Sequence, residues 1–355
     1  VVVVVMLSDE NDCSVKDGGQ YFLMAQTYVP GGGNGQFHLP RARAACATDP
    51  SSPCCKSCSE PPGPGCDTSA DTCSEPLTLV EDDINLRCFD QKRRFGIDFL
   101  YPVDRYVSAL SAAQVTDRHG NLVPNPLLAG GQRDASMIYL AGIAGVPWQD
   151  VARRNANGEP DLAAGFDGEG RPLGGLMDAA ELEAAGAWQV ILGDPANGVP
   201  PTDALMIESV APRSGTSPIV GADLAPPDAG YLENPVNCHE YTIDQHDDLQ
   251  YACIVPLAQP RDCTGEDICD CKAAGGGGTD NPVCQSASGE FSTTQYFAKA
   301  YPAIRHLRVL QGLGEQGIVG SICAAEVVDP SSVRFGYQPS LATMARTVGR
   351  SLLGP

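Results

Sequence analysis

The opening run, Val1-Val-Val-Val-Val-Met-Leu7, is apolar at every position and limits the possible folds more than any other feature of the chain. A strand turns successive side chains to opposite faces, so a run that is apolar on both parities predicts a strand covered on both sides, as in a parallel sheet layered by helices. Two later runs repeat the pattern, Met137 to Gly145 and Ile318 to Cys323. Helix-like stretches stand beside them. Pro102 to Ala113 places Val103, Tyr106, Val107 and Leu110 on one face behind a proline suited to a first turn. Trp148 to Arg154 reads as a short helix, Phe297 to Leu313 as an amphipathic one, and Gln338 to Leu353 as a terminal helix with Leu341, Met344, Val348 and Leu352 on one stripe. Arg94 to Leu100 reads as strand or loop. Strand, helix, strand, helix, strand, helix predicts an α/β domain with helices on the faces of a parallel sheet.

Cysteine-rich insertions interrupt that core. The first, residues 30–91, carries Cys46, Cys54, Cys55, Cys58, Cys66, Cys73 and Cys88; the second, residues 155–290, carries Cys238, Cys253, Cys263, Cys269, Cys271 and Cys284. The expected organisation is therefore a single α/β domain over 1–355, with its core drawn from about 1–28, 92–154 and 292–355. Most of the 15 cysteines lie in polar loops among 29 prolines and 39 glycines, which predicts disulfides and an extracytoplasmic compartment: periplasm, outer surface or secreted. The odd count leaves at least one thiol unpaired or shared with another chain, and Cys323, inside an apolar run, is the expected buried one. A formal charge of −21 opposes binding to nucleic acid or anionic lipid and favours divalent cations where carboxylates converge. No segment reaches the roughly 18–20 continuous apolar residues that cross a bilayer. Val1 to Leu7 lacks the length and basic flank of a signal h-region, so any export signal is expected upstream.

Ligands of open α/β sheets bind at the carboxyl ends of the strands, where the first run breaks into Ser8-Asp9-Glu10-Asn11-Asp12. Asp9, Glu10 and Asp12 are the leading candidates for a divalent cation, because hard ions need several oxygens close together. Cys13 and Ser14 stand where an EF-hand would continue its ligands and glycine, so that pattern fails. A second candidate is Cys238-His239-Glu240-Tyr-Thr-Ile-Asp244-Gln-His246-Asp247-Asp248. Imidazoles with carboxylates such as His239, Glu240, His246 and Asp247 suit zinc, which would activate a bound water; the competing reading is a polar loop held by a disulfide at Cys238. Cys55-Lys-Ser-Cys58 has zinc-knuckle spacing but sits among loop cysteines and reads as disulfide framework. His38, His119 and His306 are isolated, no Gly-x-Ser-x-Gly elbow occurs, and the glycine runs at Gly31–Gly33 and Gly275–Gly278 read as spacers rather than phosphate loops.

Val1 to Asp9, ending in Leu7-Ser8-Asp9-Glu10, resembles the fourth strand and following turn of a von Willebrand factor A-type domain. Ile138 to Gly145 resembles its fifth strand, and Gly317 to Cys323 with the helix after it resembles the sixth strand and last helix. The segment Cys88-Phe-Asp-Gln-Lys-Arg-Arg-Phe-Gly96 is similar to uncharacterised secreted proteins of this type from Gram-negative soil bacteria. The resemblance implies a partial, Rossmann-type sheet, with the family's earlier elements expected either upstream or replaced by later segments of this chain, and a divalent cation at the strand carboxyl ends, with Asp9 at the one ligand position that maps. The family's Asp-x-Ser-x-Ser loop occurs nowhere in the chain.

These readings support three functions. One is a secreted or surface binding module that engages a protein or polymer through calcium or magnesium. The alternatives are a metal-dependent hydrolase of esters or phosphoesters, using zinc, and a disulfide-rich structural protein of the envelope.

Overall fold

The computed structural model describes residues 1–16, 20–27, 37–128, 133–163, 165–224, 234–243, 246–266, 269–271 and 280–353. The glycine runs at 31–33 and 275–278, and Asp244, lie outside the described residues. The elements are β1 (Val2–Leu7), α1 (Gln20–Ala25), α2 (Ala45–Thr48), α3 (Gln91–Phe95), α4 (Val103–Ser111), β2 (Gln114–Thr116), β3 (Leu122–Pro124), β4 (Ile138–Ala144) and α5 (Trp148–Val151). They continue with α6 (Ala179–Ala184), α7 (Ala187–Leu192), β5 (Cys253–Asp262), β6 (Thr294–Ala300), α8 (Ile304–Gly312), β7 (Gly317–Ser321) and α9 (Gln338–Leu353). The chain divides into two compact units, one comprising Val1–Asn11, Pro102–Thr242 and Gln250–Pro355, the other Asp12–Tyr101 and Ile243–Leu249. The segments 12–28 and 92–101, expected in the α/β core, fall in the second unit.

The larger unit is mixed α/β and holds a three-stranded parallel sheet in the order β1-β4-β7. Val2 pairs with Ile138 through Leu7 with Ile143, and Leu140 with Gly317 through Ala144 with Ser321. All seven residues of the central β4 are buried, as the sequence predicts. Alternation along the strands divides the core. Leu140 and Val319 face Leu307 and Leu310 of α8, with Val103, Tyr106, Val107 and Leu110 of α4 packed beside them, whereas Tyr139, Ala141 and Ile318 face Met344 and Val348 of α9. Gly142 lets α8 approach the sheet, since a Cβ there would lie 2.7 Å from Leu310 Cδ1.

Three expectations fail. β1 is an edge strand whose one strand partner among the described residues is β4, and Val4, Val5 and Leu7 are exposed. An all-apolar run specifies a strand but not its place in the sheet, which depends on distant segments. The stretch Phe297 to Leu313 is two elements: its first residues finish β6, antiparallel to β5, and α8 begins after Tyr301-Pro302-Ala303. Pro302 is the reason, because the residue before a proline is pushed out of helical geometry. On α9 the stripe is used only in part. Leu341 and Leu352 are exposed while Ser340 and Thr343 are buried, so the covered face is rotated from the one that the apolar spacing predicts.

The smaller unit has little core: Met24, Leu39, Leu77, Phe95 and Phe99, with Val15, Phe37 and Ile97 against them. Four bridges staple it, Cys13–Cys88, Cys46–Cys55, Cys54–Cys66 and Cys58–Cys73. At its centre Arg87 clamps Asp82 with Nε and Nη2, both at 2.9 Å. The same guanidinium donates to the carbonyls of Met24, Gln26 and Phe37. Asp82 also accepts the Leu39 amide at 2.8 Å, so one ion pair organises four backbone segments.

The larger unit carries Cys253–Cys323, Cys263–Cys269 and Cys271–Cys284. Cys323 is thus bridged, and Cys238 is the free cysteine among the described residues. Pairing is a three-dimensional property, and β5 brings Cys253 to the end of β7. Cys238 is neither disulfide-held nor poised to react: burial pushes its thiol up to about 11, which keeps it protonated at neutral pH.

Candidate functional site

Parallel pairing brings the carboxyl ends of β1, β4 and β7 to one edge of the sheet. The Ser8 amide continues the β1–β4 ladder to Ile143 O at 3.1 Å, and the Ile322 amide bonds Ala144 O at 2.9 Å. The chain then turns outward. Ser8 Oγ donates to Glu10 O at 3.0 Å and holds the turn, and the Tyr301 amide donates to Asp9 O at 2.8 Å. Asp9 and Glu10 end up exposed at this edge. Tyr337 lies close enough to feel the carboxylate: burial, then the Asp9 charge, raise its phenol above the ordinary tyrosine range. Gly145 is required here, because a Cβ would sit 1.8 Å from Tyr301 O.

Among the described residues the sequence candidates form no group of three metal-ligating side chains. Asp12 belongs to the smaller unit and accepts the Ser14 amide at 3.1 Å, so it caps its own turn. His246 and Asp247 are exposed residues of that same unit, and the Asp247 charge is felt at Asp83, whose carboxyl is raised first by burial and then by Asp247 and Asp82. His239 and Glu240 belong to the larger unit and are buried. His239 Nε2 lies 2.6 Å from Asp280 O, its ring meets Phe291 edge-on, and burial lowers its pKa, so it stays neutral.

Glu240 is engaged by an arginine and an asparagine. Arg213 Nε donates to Oε2 and Nη2 to Oε1, both at 2.8 Å, and Asn237 Nδ2 donates to Oε1 at 2.9 Å. The carboxylate neutralises a buried arginine, and the adjacency of His239 and Glu240 in sequence sends them to different partners. Among the described residues no three His, Cys, Asp or Glu side chains converge as a metal centre would require. Cys55 and Cys58 are both in disulfides, as framework residues.

Sequence reasoning missed two buried carboxyls in the larger unit. Asp150 on α5 and Asp203, which caps the turn Ala204–Met206 through Leu205 N at 2.9 Å, are both buried. Burial first, then the influence of Asp203, push the Asp150 carboxyl up to about 9. The available signal was an acid inside the short apolar helix Trp148-Gln-Asp-Val151, where a buried charge would be costly.

Comparison with known proteins returns no matching family model, no matching curated protein and no matching solved structure. Among the described residues, no helix is long and apolar enough to cross a membrane.

Proposed function

We propose that this chain is an extracytoplasmic binding module of von Willebrand A-like type, which engages a protein or polymer ligand at the carboxyl edge of its parallel sheet through a divalent cation, calcium or magnesium. The observation that carries this reading is the turn Ser8-Asp9-Glu10 at the end of β1, with Asp9 and Glu10 exposed on the edge where β4 and, beyond it, β7 also end. Seven disulfides among the described residues support an oxidising compartment. The available donors fit a weak site and not a tight one. Asp9 and Glu10 are two carboxylates that no third acidic or imidazole side chain joins among the described residues, and calcium affinity follows the number and charge of the ligands.

Titration calorimetry tests the reading. Calcium or magnesium should bind with a dissociation constant in about the 10⁻⁴ to 10⁻³ M range of extracellular modules, and Asp9→Ala should abolish the heat while leaving the melting temperature unchanged. Absence of binding in the unaltered protein would remove the cation from the reading. Zinc retained near stoichiometry through purification would replace it with metal-dependent hydrolysis.

A further inference from the structure

β1 gives one edge to β4, and among the described residues no strand takes the other. The Ser8 amide bonds Ile143 O at 3.1 Å, so Ser8 and, by alternation, Met6, Val4 and Val2 turn their backbone groups toward β4. Val3, Val5 and Leu7 therefore turn their amides and carbonyls outward, where no other described element bonds them. Apolar side chains line the same strip: Val4 is 42%, Val5 53% and Leu7 56% exposed. Edges that stay single are usually blunted by a lysine, a proline or a bulge. Val1 to Leu7 carries no charge and no proline, and its register with β4 is unbroken.

We propose that this outer edge pairs with β1 of a second copy of the chain, antiparallel about a two-fold axis at Val5, so that two three-stranded sheets become one continuous sheet. An interface on a two-fold must be its own complement. In this register Val5 faces Val5, Val3 faces Leu7 and Val4 faces Met6, so each exposed apolar side chain of the strip gains an apolar cross-strand neighbour. Val3, Val5 and Leu7 become the hydrogen-bonded positions, each pair exchanging two bonds. The proposal is independent of any cation at Asp9 and Glu10.

Charge selects this partner and this direction. The strand has no charged side chain, so an identical strand meets no like charge along the ladder. Parallel pairing would set two copies of the exposed Asp9-Glu10 turn side by side. Antiparallel pairing sends them to opposite ends, separated by about 20 Å, the length of the six-residue strand, which is well beyond the screening length of about 8 Å at physiological salt. What remains is the general repulsion between two chains of charge −21, which added salt weakens. A contact one strand wide belongs to the small, transient class of interface, so association is reversible on dilution.

The test is sedimentation velocity of the oxidised protein in chelator, over a concentration series at low and high salt. The unaltered protein should show a monomer–dimer equilibrium that dissolves on dilution and strengthens with salt. Val5→Lys sets two lysines against each other at the axis and should weaken association at least about tenfold, with an unchanged melting temperature, whereas Asp9→Ala should leave the dimer intact. Amide exchange followed by NMR needs no variant: as concentration rises, the Val3, Val5 and Leu7 amides should gain protection while those of Val4 and Met6, already bonded to β4, stay as they are. A monomer at every concentration and salt, a dimer indifferent to Val5→Lys, or protection gained elsewhere but not at these three amides would overturn the proposal. A dimer that forms only with calcium would also overturn it, by assigning the contact to a shared cation.

Discussion

Among the described residues each compact unit fully buries an arginine–carboxylate pair, Arg87–Asp82 in the smaller and Arg213–Glu240 in the larger, but the surroundings differ. In the larger unit the pair is an addition to a continuous apolar core running from Leu140 through Leu176 and Trp188 to Val319. In the smaller one, where the buried apolar cluster is Met24, Leu39, Leu77, Phe95 and Phe99, Arg87 and four disulfides stand in for a core. Small folds that cannot bury enough apolar surface depend on such staples. The same interaction is thus supplementary in one place and central in the other.

Reduction should separate the two units most strongly. Loss of one native disulfide from a small domain costs about 2–5 kcal/mol, and removing four exceeds what a poorly cored unit can retain against a total stability of about 5–15 kcal/mol. With a reductant, hydrogen exchange followed by mass spectrometry should show amides of residues 37–100 losing protection while those of β4 keep it. Equal loss in both regions would break the comparison. Next in size are the arginines. Arg87→Ala and Arg213→Ala each strand a fully buried carboxylate, at a cost of about 3–5 kcal/mol, but urea denaturation should show outright loss of the smaller unit for Arg87→Ala and only a lowered midpoint for Arg213→Ala. The smallest effect belongs to a surface cap. Asp178 forms a capping box with Glu181 at the start of α6, and Asp178→Ala should cost about 1 kcal/mol in the larger unit, read as a shift in denaturant midpoint without a change in slope.

Local periodicity carried much of the larger unit's secondary structure. β4 and α4 lie where their apolar spacing predicts, because each pattern is complete within its segment, and α9 spans the expected residues although its covered face is rotated. Misreadings arose where the deciding fact was distant. β1 and β4 are equally apolar, and only the pairing order makes one an edge and the other a centre. β5 was hidden by Pro256 and Pro260, since prolines within a run argue against a strand in local pattern. For the candidate site, Asp9 and Glu10 were legible as a strand-end turn. Asp150 and Asp203 were not, since nothing local predicts that either acid is buried. Glu240 misled for the opposite reason: it adjoins a histidine in sequence, but its partner is Arg213 in space.

The bridge from Cys253 to Cys323 spans a sequence separation of 70 and encloses β6, α8 and β7. Topologically this stretch is a closed ring with two tails and no longer a simple thread. A single cleavage inside the ring opens it without dividing the molecule, so a nicked chain migrates as one species until it is reduced. Both fragments stay attached through the bridge, which keeps β7 and the α8 cover of the sheet within reach of the strands they pack against.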